Sequence, residues 1–207
     1  MSEERLFIFL KAPRPGAVKT RLAESIGASE AAAAYQILVE TLLAKLALLS
    51  DVQLRFSPDD ALSEIEPWLR PHWQARAQGE GDLGQRLERA FGEAFTEGVN
   101  RVVVIGSDCP ELTAEDIRAA WAALARDDLV LGPAKDGGYW LIGLKSRQPS
   151  LFHSMPWSTD KVLEETLDRA RHSGLTFKLL RELSDVDTEQ DWLSFLAQIG
   201  KERGFVD

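Results

Sequence analysis

The stretch "RVVVIGSDCPELTAED", residues 101–116, decides the fold. Its first six residues, 101–106, form a nearly continuous apolar run, the pattern of a parallel strand buried on both faces. Asp108 stands just past that run. Cys109 and Pro110 then break any regular structure. Thr113 with Asp116 makes a capping box and opens a helix predicted to run to about residue 126. A buried strand, a polar loop carrying a carboxylate and a capped helix are the first half of a βαβ unit.

The same alternation extends in both directions. Residues 5–10 read as a strand. "ASEAAAAYQILVETLLAKLALL" (28–49) reads as a long helix with Ser29 as its cap. "VQLRFS" (52–57) alternates as a strand, a short helix follows near 60–69, and "HWQARAQ" (72–78) is a weaker strand. Residues 83–98 carry helical spacing at Leu83, Leu87, Phe91 and Phe95 and end at Gly98. Beyond the central unit, 128–134 and 139–144 are strands, 159–173 a helix, 176–183 a strand and 188–201 the last helix. Strands separated by helices of this length imply a mainly parallel sheet with helices on both faces, an α/β fold. No linker, repeat or low-complexity tract interrupts the pattern, so one domain over 1–207 is expected. In such sheets ligands bind beyond the carboxyl ends of the strands. That points to the residues just after 10, 57, 78, 106, 134 and 183.

The 207 residues carry a net charge of −9, with 44% hydrophobic and 28% charged residues, a globular composition. One cysteine precludes an intrachain disulfide and fits a reducing, cytoplasmic setting. The apolar run in "MSEERLFIFL" is too short and acid-flanked for a signal peptide, and no 18-residue apolar stretch predicts a membrane span. The acidic balance argues against a nucleic-acid partner, which needs a basic face.

Against that background "LFIFLKAPRPGAVKTRL" (6–22) is an exception. Lys11, Arg14, Lys19 and Arg21 set +4 in one loop of a chain totalling −9, so the remainder carries −13. Pro13, Pro15 and Gly16 favour an open turn over a helix. Such a loop can converge backbone N–H groups and cations on a phosphate. It is neither a Walker A motif, since Val18 precedes Lys19, nor a GxGxxG loop. The alternative is a solvated loop with incidental charge.

Other strand ends carry carboxylates and glycines. Asp108 suits a hard divalent cation, or else shapes the turn before Pro110. In "LSDVDTEQDW" (183–192), Thr188 and Asp191 make a capping box. Asp185 and Asp187 share a face if the strand continues, and one of them could join Asp108 as a second ligand. In "AKDGGYWLIGL" (134–144), Asp136, Gly137 and Gly138 read as a hairpin turn or a close approach of backbone to ligand. In "QGEGDLGQRLERA" (78–90), Gly79, Gly81 and Gly84 read as a flexible loop or as room for a base or ribose. In "MPWSTDKVLEE" (155–165), Trp157 is a hydrophobic staple or a lid, and Ser158 or Thr159 a cap. Cys109 has no base beside it in sequence and reads as a small buried residue. His72, His153 and His172 are scattered, which argues against zinc.

Taken together, "KAPRPGAVKTRL", "QGEGDLGQRL", "GSDCPEL", "AKDGGYWLIGL", "PWST" and "DVDTEQDW" resemble the glycosyltransferase-like family DUF2064, over residues 5 to 196. That family sits in the nucleotide-diphospho-sugar transferase superfamily, and the pattern is also similar to nucleotidylyltransferases such as 2-phospholactate guanylyltransferase. The resemblance implies a GT-A fold with the strand after Gly138 antiparallel. It implies a nucleotide or nucleotide-sugar donor, a small-molecule acceptor and Mg²⁺ or Mn²⁺. Carried over by motif, Lys11, Arg14, Gly16, Lys19, Arg21, Gly81 and Gly84 would bind the nucleotide and its phosphates. Asp108 and Asp187 would hold the metal, and Lys19, Asp108 and Asp136 would be catalytic. Asp136, Gly137, Gly138, Trp157 and Ser158 would border the acceptor, with Asp136 or Asp185 as general base. The sequence departs from typical glycosyltransferases in lacking a DxD motif, and from pyrophosphorylases in having prolines where their first loop is glycine-rich. The expected activities are glycosyl transfer or nucleotidyl transfer, with a non-catalytic nucleotide-binding module as the alternative.

Overall fold

The computed structural model describes residues 3–202; residues 1–2 and 203–207 of the expected domain lie outside it. One sheet organises the chain. Its strands are β1 (Glu4–Lys11), β2 (Val52–Ser57), β3 (Gln74–Ala77), β4 (Arg101–Ile105), β5 (Leu129–Pro133), β6 (Tyr139–Leu144) and β7 (Phe177–Leu179). They lie in the order β3-β2-β1-β4-β6-β5-β7. β1 pairs parallel with β2 and β4, β2 with β3, and β5 with β7. Only β6 runs antiparallel, to both β4 and β5. All strands except β6 therefore end on the same edge, and the hairpin before β6 returns to that edge.

Alternation along the central strands feeds two cores. Leu6, Ile8 and Leu10 of β1 and Val103 and Ile105 of β4 face one layer, while Phe7, Val102 and Val104 face the other. The first layer is closed by α2 (Ala28–Lys45) and α5 (Ala114–Leu124), through Tyr35, Val39, Leu42, Ile117 and Trp121. The second is closed by α4 (Leu83–Thr96) and α6 (Val162–His172), through Leu87, Phe91 and Ala170. Leu6, Phe7 and Ile8 are fully buried, each a contribution of about 1.5–3 kcal/mol. On the outside of α2, α1 (Thr20–Ile26) and α7 (Glu189–Glu202) bury Leu22 and Phe195 and half-bury Trp192. A four-residue α3 (Leu62–Ile65) runs into a 3₁₀ turn at Glu66–Trp68.

Several local expectations change. α1 was expected as open loop, but a helix starts at Thr20 with no side-chain cap. α2 is preceded by Gly27, not capped by Ser29. α6 begins at Val162 after Lys161, and neither Ser158 nor Thr159 holds its N-cap position. The strand expected over 176–183 pairs only at 177–179, because the chain then leaves β5 and touches it again at a single Ala134–Leu183 bridge. Asp185 and Asp187 therefore do not share a strand face. The capping boxes at Thr113/Asp116 and Thr188/Asp191 form as expected, and Asp82 adds another with Gln85 at α4. Among the described residues no helix is long and apolar enough to cross a membrane.

Candidate active site

The carboxyl edge of β1 and β4 opens into a cleft of about 600 Å³. From β1 the chain turns through a short loop in which Arg14 N–H bonds Ala12 O and Ala17 N–H bonds Arg14 O. Val18 is buried and pulls the loop inward. Lys19 then takes a left-handed backbone, φ 46° and ψ 49°, a conformation that costs a side-chain-bearing residue about 1–2 kcal/mol. The strain sits where a side chain is being aimed. The Lys19 side chain is only 3% exposed, and its Nζ lies 2.6 Å from Asp108 Oδ1 and 3.0 Å from Asp187 Oδ1. Burial alone would lower the Lys19 pKa; the two carboxylates outweigh it and hold it above its ordinary value.

Asp108 and Asp187 come from distant parts of the chain, and the backbone brings them together. Val186 N–H donates to Asp108 O at 3.1 Å, fixing the segment before α7 against the loop after β4. Both carboxylates stay partly open, 43% and 39% exposed. Arg21 lies 3.7 Å from Asp187 Oδ2. Behind them, the Cys109 thiol donates to Asp185 Oδ1 at 2.6 Å. Burial raises the Asp185 carboxyl to about 6; the thiol's hydrogen bond works against this, and Asp108, Asp136 and Asp187 add to it.

The cleft's remaining walls come from α2, β3 and α4. Tyr35 Oη accepts from Lys11 N–H at 2.9 Å and sits 2.9 Å from Ser107 Oγ, tying the loops after β1 and β4 together. Gln78 donates to Leu10 O and Arg55 O, pinning the ends of β1, β2 and β3. Its Oε1 accepts from Arg86 Nη1 at 3.1 Å, and Arg86 Nε donates to Gly81 O at 2.9 Å, which holds a guanidinium in the lining of the same cleft as Lys19. Arg86, Gln78, Tyr35 and Ser107 were not singled out from sequence. Their only signal was position, on a helix face or at a strand end.

The sequence-indicated residues divide. Lys11, Lys19, Arg21, Gly81, Asp108 and Asp187 line this cleft. Arg14 does not: its guanidinium grips Glu64 Oε1 at 2.6 Å and Asp60 Oδ1 at 3.1 Å. Gly16 takes φ 79° in open space on the loop. Gly84 also stands outside the lining. A Cβ there would meet Phe152 O at 2.6 Å and Trp157 Nε1 at 3.0 Å, so its role in the fold is to let α4 approach the 152–157 segment. Asp136, Gly137 and Gly138 form the β5–β6 hairpin, closed by Ala134 N–H to Gly138 O at 3.0 Å. Asp136 Oδ1 accepts from Gly138 N–H, and Gly137, at φ 88°, leaves room for the backbone of Asp160. Trp157 packs edge-on to Tyr139 of β6; it lies four residues before the Lys161 N-cap of α6 and so does not staple that helix, and Ser158 holds φ 64°.

A larger cleft of about 890 Å³ runs along the other face of α4 and shares Gly81 with the first. Its charges Arg76 and Glu93 are paired at 3.3 Å, and Arg147 is spent on Gly92 O and Thr96. Convergent charge lies in the smaller cleft.

The strand order with a single reversed strand, and a cationic loop facing carboxylates at the carboxyl edge, define a nucleotide-diphospho-sugar transferase fold of the GT-A type. A crystal structure from Desulfovibrio desulfuricans G20, provisionally assigned as a nucleotide-diphospho-sugar transferase, is 37% identical, with a TM-score of 0.89 over 97% of this chain and 89% of that one. The 4-diphosphocytidyl-2C-methyl-D-erythritol synthase of Anaerococcus prevotii DSM 20548 shares the fold at 11% identity, TM-score 0.62, over 96% of this chain and 99% of that one. CMP:2-keto-3-deoxy-manno-octonic acid synthetase, solved with CTP, does so at 10% identity, TM-score 0.60, over 97% and 100%. No curated protein matches the sequence. The profile of DUF2064, described as an uncharacterized protein conserved in bacteria, matches residues 41–159. The chain belongs to that family.

Proposed function

We propose that the protein is a divalent-metal-dependent transferase that takes a nucleotide-sugar donor and a small neutral acceptor. One observation carries this reading: Asp108 and Asp187 meet on a single cation, Lys19 Nζ, at the floor of a cleft whose other walls present Lys11, Arg21 and Arg86. Carboxylates that can share an ammonium are placed to share Mg²⁺ or Mn²⁺. Among the described residues no set of three or more His, Cys, Asp or Glu gathers as ligands, and Mg²⁺ needs only one or two carboxylates when donor phosphates complete its shell. The residues fit such an ion, and Asp108 and Asp187 would hold it. Once bound, it would neutralise charge developing on the diphosphate leaving group.

The chain's own groups do the rest. Lys19 and Arg21 approach the donor's phosphates from the first loop, and Arg86 does so from α4. Gly81, at φ 108°, carries no side chain beside the cleft. Behind the carboxylate pair, Asp185 and the hairpin's Asp136 are close enough for the Asp136 charge to raise the Asp185 pKa, an acidic neighbourhood that disfavours an anionic acceptor and suits a hydroxyl. Asp185, raised to about 6, is the group there best matched to accept a proton from that hydroxyl near neutral pH. Nucleotidyl transfer from an NTP, with release of pyrophosphate, is the second reading; the basic first loop, which brings Lys19 and Arg21 to the cleft beside Lys11, supports it.

Mass spectrometry of products after incubation with panels of nucleotide-sugars and NTPs tests both. A nucleoside diphosphate product supports glycosyl transfer, and pyrophosphate supports nucleotidyl transfer. Asp108→Asn and Asp187→Asn should each abolish turnover. Metal-independent nucleotide binding that survives both changes, with no product from either panel, would identify a binding module instead.

A further inference from the structure

A lysine that only met phosphates would have no need to be buried. Lys19 is 3% exposed, held by a left-handed backbone, and spends two of its three N–H donors on the very oxygens a metal would use. Resting on the transferase reading above, we propose that Lys19 is a built-in competitor for the divalent cation. In the nucleotide-free protein its ammonium occupies the Asp108–Asp187 pair and holds metal affinity low. Donor phosphates offer it other oxygens, so metal and nucleotide load together.

The local charge supports this. Asp108 and Asp187 carry −2, and Lys19 with Arg21, 3.7 Å from Asp187, carries +2. A divalent cation arriving alone meets a neutralised pair and must displace or abut a buried ammonium. Because Lys19 is shielded from solvent, salt does little to loosen its hold. An incoming diphosphate changes the balance. Both cations belong to the first loop and its helix and line the same cleft, so each can turn to phosphate oxygens without crossing the protein. The carboxylates then regain the charge that holds a metal. If Lys19 were instead a fixed brace that sets the two carboxylates at a metal-binding spacing, its loss would weaken metal binding. The two roles differ in sign.

The test is Mn²⁺ binding to the full-length chain, read by electron paramagnetic resonance of free Mn²⁺, with no nucleotide present. Lys19→Met and Lys19→Gln should bind Mn²⁺ at least about tenfold more tightly than wild type, and Asp108→Asn should abolish the gain. Unchanged or weaker binding in the lysine variants, with Asp108-dependent binding in wild type, overturns the competition and leaves the metal site standing. No Mn²⁺ binding in any variant overturns the metal-site reading itself. Circular dichroism checks folding. If neither lysine variant folds, wild type decides: Mn²⁺ alone should leave its melting temperature unmoved while Mn²⁺ with UDP or CTP raises it. A full shift with Mn²⁺ alone sinks the proposal.

Discussion

The Cys109 thiol donates a hydrogen bond to Asp185 Oδ1 at 2.6 Å, directly behind the carboxylate pair of the cleft. This is the chain's single cysteine. Its thiol is pushed far above its ordinary value, first by burial and then by the neighbouring Asp185 charge. A thiol held protonated is not a nucleophile. Cys109 should therefore resist iodoacetamide at pH 8 in the native protein, with a rate on the order of 100-fold below that in denaturant. Cys109→Ser keeps a donor and should be mild. Cys109→Val removes a hydrogen bond that lowers the Asp185 pKa, and that pKa should rise further, as carboxylate NMR would show. Native alkylation at the unfolded rate would contradict the arrangement.

Arg14 and Arg21 sit seven residues apart in one basic stretch, yet the fold separates them. Arg14 is committed to Glu64 and Asp60, while Arg21 lines the cleft beside Asp187. Arg14→Ala should change the affinity for UDP or CTP by less than about twofold. Arg21→Ala should weaken it by about tenfold, the scale of one charge-assisted contact to phosphate. Isothermal titration calorimetry at fixed ionic strength reads both. Equal losses would mean that the loop rearranges to bring Arg14 in.

The sheet was legible because its central strands are defined by burial alone. Residues 102–105 and 6–8 are apolar and buried without a break, and 129–131 and 140–142 repeat the pattern in β5 and β6. α1 was not legible. It is seven residues long, has no side-chain cap, and follows two prolines and a lysine in a left-handed turn, so nothing local announces it. β7 was overread, since its outer residues are exposed and its length depends on where β5 stops. At the site, the cluster of cations in the first loop and the lone Asp108 after β4 could be read from charge and position. Which cations enter the cleft could not, because Arg14's partner Glu64 lies 50 residues away. Nor could Arg86: it is one of two arginines on α4, and its bonds to Gln78 and Gly81 turn it into the cleft.

Asp116 ties the central unit to the segment after β7. It accepts from Thr113 N–H at 2.9 Å, and its two oxygens take Arg181 Nε and Nη2 at 2.7 Å each. Burial alone would raise its pKa, but Arg181 and Thr113 outweigh it and hold it below the ordinary 3.8. The stability this contributes is fully present above that ordinary value and is lost as pH falls through the lower, folded one. Asp116→Asn should cost about 1–3 kcal/mol near neutral pH. It should also flatten the melting temperature's decline below about pH 4 relative to wild type. Scanning calorimetry from pH 2.5 to 7 gives both. Parallel curves for the two proteins would show that Asp116 does not contribute to acid unfolding.

Arg55 is a charge inside the sheet-to-helix layer. Its side chain is 2% exposed, its guanidinium lies 4.6 Å from the centre of the Phe7 ring, and Glu93 Oε2 accepts from its Nη2 at 2.6 Å. Burial lowers the Arg55 pKa, and Glu93 opposes that shift without reversing it; the guanidinium stays charged, so its desolvation has to be offset. Its Nε has no partner, which makes Glu93 the main compensation for a desolvated cation. Removing one member of such a pair strands the other, at a cost of about 3–5 kcal/mol, whereas replacing both with apolar groups of similar volume can be neutral or stabilising. Glu93→Ala should therefore lower stability in urea by about 3 kcal/mol, and Arg55→Met with Glu93→Leu should recover most of it. The single change also leaves Arg76, which shares Glu93 at 3.3 Å from the exposed side, with only the longer 4.0 Å pair to Glu97, so part of the loss should be salt-dependent. A double variant no more stable than Glu93→Ala would show that the ion pair, not the packing around Phe7, holds α4 against β2.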